Sequence, residues 1–158
     1  MKHSMPKKPI IWIIDTSVFL NVLDVPQFNQ DRDLLLDEFK KRIESKDSFL
    51  LPFTTIIETG NHIAQINNGN QRQIYAIKFS NRVLESLDGE APFKTLAFPE
   101  SDQLKNWLAD FPNNAQAGKN LGDHMIIKQW EEQCKMFEAY TVKIWSTDGD
   151  LQGYECNH

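Results

Sequence analysis

Only two cysteines, Cys134 and Cys156, occur in 158 residues, without a Cys-x-x-Cys pair or a Cys/His cluster. That usage argues against a zinc site and against a disulfide framework. Long apolar runs are also missing: the first, Ile10 to Ile14, is stopped at once by Asp15. It is too short for a signal-peptide core or a membrane span, so the basic, proline-containing start reads as a flexible tail over residues 1–9 of a cytoplasmic protein. There is no excess of positive charge either, since 17 Lys and Arg face 22 Asp and Glu for a formal net charge of -5. This argues against a protein whose main business is coating nucleic acid. It leaves room for a site made of carboxylates, whose cations are not part of the count. No internal repeat or low-complexity segment divides the chain, and residues 10–158 read as one domain with one core.

What is present is an alternation of strand and helix signals. IIWII is β-branched and aromatic at consecutive positions, as expected of a central strand covered on both faces. Thr16 and Ser17 offer caps for a short helix over SVFLNVL, closed off by Pro26. DRDLLLDEFKKRIES reads as an amphipathic helix with Leu35, Phe39, Arg42 and Ile43 near one stripe, and SFLLP as the next strand. Thr54 and Thr55 offer a cap for a helix over IIETGNHIAQI, broken by NNGN. A further helix covers QRQIYAIKFSNRVLESL, KTLAF is a strand, and ESDQLKNWLADF is a helix. PNNAQAGKN reads as a loop, LGDHMIIKQWEEQCKMF as a strong helix and TVKIWS as the last clear strand. This order predicts a three-layer α/β sandwich with a mostly parallel sheet flanked by helices, whose ligand site lies beyond the carboxyl ends of the strands.

Four acids fall where such a site would form. Asp15 directly follows the first strand, although an aspartate there also caps helices. Asp148 follows the last strand, in a TDGD stretch equally suited to a turn, with Asp150 as a further ligand or a turn residue. Asp123 heads a helical face that continues through Ile126, Ile127, Trp130 and Cys134, and a carboxylate at the head of an apolar stripe is expensive to bury without a partner. The competing account is dipole and capping stabilisation in the first turn, and the ligand reading is favoured over it. Glu58 lies on a different helix face from Ile56, Ile63 and Ala64, which suggests solvent, but it stands one turn beyond a strand end. His62 is within reach of Glu58. Such acids would repel one another in a cleft unless Mg²⁺ or Mn²⁺ neutralised them, and paired cations suit phosphodiester hydrolysis. The basic residues Lys40, Lys41, Arg42, Arg72 and Arg82 read as solvated helix positions.

In these residues the chain resembles PIN domains, nucleases that include the toxins of bacterial toxin–antitoxin pairs. IIDTSVFLN is similar to the family's opening strand, with Asp15 as first ligand and Ser17 as a polar helper. LPFTTIIETGNHI resembles the second motif with Glu58, GDHMII the third with Asp123, and WSTDGDL the fourth with Ser146, Asp148 and Asp150. The resemblance implies an endoribonuclease in which Asp15, Glu58, Asp123 and Asp148 are catalytic and, with Asp150, hold Mg²⁺ or Mn²⁺. It also implies Ser17, Ser146 and Lys119 near the RNA phosphate, a cognate antitoxin, and pairing into a homodimer through surplus apolar positions on the helices over residues 31–87. His124 departs from the family pattern, which has a small residue there, and few residues remain after the fourth motif for a final strand.

Three rivals are weaker. A haloacid-dehalogenase-type phosphatase needs a second Asp two positions after the first, where Ser17 stands. A Toprim-like site with Asp148 and Asp150 as its pair leaves Asp15 unexplained. A catalytically inactive PIN-like binding module has no reason to maintain four mutually repelling carboxylates.

Overall fold

The computed structural model describes residues 8–90 and 92–156, so most of the tail expected over residues 1–9 lies outside the described residues. The opening apolar run is strand β1 (Ile10–Ile14). Trp12 and Ile14 point into one core, Ile11 and Ile13 into a second on the opposite face, which is why the strand is apolar at every position. Helices α1 (Thr16–Val22) and α2 (Arg32–Glu44) lead to β2 (Ser48–Pro52), α3 (Phe53–Ala64), α4 (Gly69–Leu87) and β3 (Phe93–Leu96). Helices α5 (Ser101–Gln116) and α6 (Leu121–Met136) then precede β4 (Thr141–Trp145), a 3₁₀ turn (Gly149–Leu151) and β5 (Glu155–Cys156).

The sheet has the order β3-β2-β1-β4-β5, with its first four strands parallel and β5 antiparallel to β4. Helices α1 to α4 cover one face, where Phe19, Leu35, Ile63 and Phe93 are buried together. Helix α6 covers the other, placing Ile126 and Ile127 against Ile11, Ile13 and Ile144. The architecture is the three-layer α/β sandwich expected from the element order.

Several local expectations are corrected by tertiary contacts. Asp15, not Thr16 or Ser17, is the N-cap of α1. Helix α3 follows β2 without a loop and Pro52 is its cap, so Thr55 lies inside the helix and its hydroxyl donates to the Ile14 carbonyl at 2.8 Å. Ile43 is 45% exposed rather than part of the buried stripe. Arg42 is not simply solvated: its guanidinium lies 3.7 Å from the Trp12 ring centre and 4.1 Å from that of Trp145, covering both rings. Burial lowers its pKa, while Glu38 and Asp47 counter that effect.

The stretch read as a loop from Pro112 is helical as far as Gln116. A proline inside a helix costs about 3 kcal/mol, and contacts to α6 on either side of it offset that loss. Fully buried His124 holds both flanks, with Nε2 at 2.6 Å from the Trp107 carbonyl and Nδ1 at 2.7 Å from the Asn114 amide. Because a carbonyl only accepts, Nε2 donates and Nδ1 accepts from Asn114, which defines a neutral ring. The departure at His124 is therefore an inter-helix pin.

The short C-terminal segment does form a final strand. Cys156 of β5 pairs with Val142 in the sheet and is disulfide-bonded to Cys134 of α6, so the expectation of no disulfide is corrected. The two cysteines, 22 residues apart, meet only because α6 packs back along β4. A loop of that length implies that reduction, or Cys156→Ser, lowers unfolding free energy by about 3 kcal/mol. The denaturation midpoint with and without a phosphine reductant measures this; an unchanged midpoint would mean that the sulfurs are not bonded in solution.

Candidate functional site

The strand order reverses at β1: β2 and β3 are laid down on one side of it and β4 on the other. Beyond the strand ends at such a switch point the two outgoing connections diverge and leave a crevice. Strands β1 and β4 finish in register, with Ile14 opposite Trp145, and the Asp15 N–H donates to the Trp145 carbonyl at 3.0 Å. Asp15 and Ser146 therefore emerge side by side at the crevice.

The Asp15 side chain, 5% exposed, is fixed by hydroxyls. Its Oδ2 accepts from Ser17 Oγ at 2.9 Å and from Ser146 Oγ at 2.7 Å. These hydroxyls in turn accept backbone N–H groups from the loop after β4, Ser17 from Thr147 at 3.0 Å and Ser146 from Asp148 at 2.9 Å. Ser17 and Ser146 thus act first as clamps between Asp15 and the loop that carries Asp148. The cap reading of Asp15 is realised as well, since its carboxylate also accepts from the Ser17 N–H at 3.4 Å.

Glu58 does not face open solvent. It is half-buried, and its Oε2 accepts from Thr16 Oγ1 at 3.0 Å. Its approach to α6 depends on Gly122, where an added Cβ would stand 1.8 Å from Glu58 Oε1. Neither Thr16 nor Gly122 was identified as a site residue by sequence reasoning. The available signal was a glycine in the first turn of a strong helix, where it costs about 1 kcal/mol relative to alanine and needs a packing reason.

Asp123 sits in the first turn of α6, 8% exposed, and its N–H donates to the capping Asn120 side chain at 2.8 Å. Asp148 caps the 3₁₀ turn by accepting from the Asp150 N–H at 3.0 Å, and both are exposed. Carboxylate oxygens of Asp123, Asp148 and Asp150 come within 4.8 Å of one another, a group that could hold a metal ion. Asp15, Glu58, Asp123 and Asp148 line one cleft of about 270 Å³, together with His62. Lys119 is not among its lining residues; its ammonium lies 6.0 Å from the Tyr154 ring centre.

Electrostatics follow from this crowding. Burial raises the Asp123 pKa to about 6, with Asp148, Asp15, Glu58 and Asp150 pushing in the same direction. Burial also raises Glu58 and Asp15 adds to the shift, against the Thr16 hydrogen bond and His62. Oxygen-only donors of this charge match hard divalent cations.

The raised Asp123 pKa has a definite sign for stability. Between its ordinary value of 3.8 and about 6 the unfolded chain releases a proton that the folded protein retains, so stability falls as pH rises through this window. In EDTA, Asp123→Asn is expected to unfold at a higher temperature than wild type at pH 7.5, with the gap closing near pH 4. Melting curves across that range test this, and equal melting temperatures at pH 7.5 would refute it.

No protein-family model and no curated protein matches the chain. Among solved structures it is similar to a chain in the crystal structure of VapBC2 from Rickettsia felis bound to a DNA fragment from their promoter, at 10% identity and a TM-score of 0.51. The likeness covers 86% of this chain and 99% of that one, so it is a likeness of the whole fold, which is PIN-like.

Proposed function

We propose that this protein is a metal-dependent endoribonuclease that hydrolyses RNA phosphodiester bonds, and that it acts as the toxin of a toxin–antitoxin pair. The observation that carries the reading is the convergence of Asp15, Glu58, Asp123 and Asp148 on one cleft from four separate segments, with hydroxyl clamps on two of them. A bound cation would relieve such mutual repulsion. Mg²⁺ or Mn²⁺ held by Asp15, Glu58, Asp123, Asp148 and Asp150 would supply charge neutralisation at the phosphate and a more acidic water. In the reaction, water adds to phosphorus and the ribose oxygen of the broken ester leaves with a proton.

The chain's own residues divide the remaining work. Ser17 and Ser146 hold the Asp15 carboxylate in place, and Thr16 does the same for Glu58. Asp123, whose pKa burial and the neighbouring acids raise, is the carboxylate whose charge a bound cation would relieve most. Lys119 lies beyond the cleft lining and would meet RNA only on a neighbouring phosphate. Among the described residues no helix is long and apolar enough to cross a membrane.

A toxin role implies a cognate antitoxin, a partnership in keeping with the fold's likeness to a VapBC2 chain. Homodimer formation is a second part of the reading. Ile74, Ile77, Leu84 and Leu87 on α4 are 52–61% exposed, on the helix face opposite the partly buried Tyr75, Phe79 and Val83. Packed antiparallel on a second copy, this stripe sets Ile74 against Leu87 and Ile77 against Leu84, with Lys78 near Glu85 of the other chain. Light scattering should give twice the chain mass for wild type and a monomer for Ile77→Glu with Leu84→Glu; a wild-type monomer rejects the pairing.

Cleavage of a mixed RNA pool tests the enzyme. Wild type should cut with Mn²⁺ or Mg²⁺ and not with EDTA, and Asp15→Asn and Asp123→Asn should lose at least about a hundredfold in rate, in the range typical of removing one preorganised electrostatic group. Gly122→Ala, which displaces Glu58, should approach the defect of Glu58→Gln. Undiminished cutting by Asp15→Asn and Asp123→Asn would sink the assignment.

A further inference from the structure

A second cavity, of about 220 Å³, opens beside the acidic cleft and shares two of its walls, Phe28 and His62. Its chemistry is different. Where the cleft is lined by four carboxylates, this cavity has none, and Gln65, Asn67, Asn68 and Gln71 line it instead. The side chains of Gln65, Asn67 and Gln71 have no partner among the described residues, and Asn68 uses only its oxygen, to cap α4 at Gln71. Gln65, Asn67 and Gln71 each offer both donors and an acceptor, the same complement that a base edge presents.

One wall of the cavity is aromatic, with the two rings tilted at 55° to each other. The Phe28 and His62 rings are 4.8 Å apart, both half-buried. The surrounding turns are held by specific bonds. Arg72 donates to the Ile66 carbonyl at 3.0 Å across the α3–α4 corner, and the Phe28 N–H donates to the Val25 carbonyl at 3.0 Å. The cavity is smaller than the roughly 300–1,000 Å³ of pockets for drug-sized ligands, so it suits one part of a larger molecule.

We propose that this cavity receives one unpaired nucleobase of the RNA strand, next to the phosphate held in the acidic cleft, and selects it through the amides of Gln65 and Gln71. The inference rests on the nuclease reading for its substrate, and it makes that substrate single-stranded or locally unpaired. Phe28 and His62 supply sequence-tolerant stacking; the amides supply discrimination.

The test uses the full chain carrying Asp15→Asn, with Mn²⁺ present, and four ten-nucleotide single-stranded RNA homopolymers followed by fluorescence anisotropy. One homopolymer is expected to bind roughly tenfold more tightly than the weakest, with Phe28→Ala weakening all four by a similar factor. Gln65→Ala with Gln71→Ala should erase the preference while leaving stacking-driven binding and the melting temperature in place. Equal binding of all four homopolymers, or a preference unchanged by the double variant, overturns the proposal.

Cleavage by wild type separates its failure from that of the nuclease reading. Metal-dependent cutting without any base preference removes the pocket and keeps the enzyme. A preference lost in the double variant, with no cutting under any metal condition, keeps the pocket and removes the enzyme.

Discussion

The pairing of β1 with β4 is the constraint on which the rest depends. Because these parallel strands lie at the point where the strand order reverses, their carboxyl ends open onto one crevice instead of being crossed by a connection. The bond from the Asp15 N–H to the Trp145 carbonyl extends the ladder by one residue and brings Asp15 and Ser146 into contact. If that register slipped by one residue, every β1 side chain would exchange faces. Both cores would be lost together with the site.

The cluster above the strands is a source of instability that the protein manages locally. Asp15 is held by two hydroxyls and Glu58 by one, while Asp123 is left with a raised pKa among four other acids. Nearby, Gly122 keeps the space into which Glu58 reaches. The energetic cost is borne by a well-anchored frame: β1 and α6 are buried in two cores, His124 pins α5 to α6, and the disulfide ties the end of α6 to the sheet edge. The amide-lined cavity beside the cleft has no carboxylate in its lining, and its turns are closed by the Arg72 side chain on the Ile66 carbonyl and by a backbone bond from Phe28 to Val25.

Elements with strong periodicity or consecutive β-branched residues were legible from sequence, and so was the placement of acids after strands. β1, β2, α2, α4, α6 and β4 all lie where the hydrophobic pattern put them. Caps and ends were less legible. Pro52 replaces Thr54 and Thr55 as the cap of α3 because Thr55 is drawn to the Ile14 carbonyl, a contact 41 residues away in the chain. Helix α5 passes through Pro112 because Asn114 meets His124 on another helix.

By itself the sequence determined the alternation of strands and helices, the apolar character of the central strand and the presence of acids at strand ends, since these are properties of short windows and of side-chain periodicity. Only the tertiary structure decided that Glu58 turns inward past Gly122, that Ser17 and Ser146 clamp Asp15, and that Cys134 reaches Cys156. It also set four neutral amides beside four carboxylates. The physical reason is distance along the chain. Each of these contacts joins segments whose proximity follows from strand order and helix packing, and no local pattern encodes the angle at which two helices meet above a sheet.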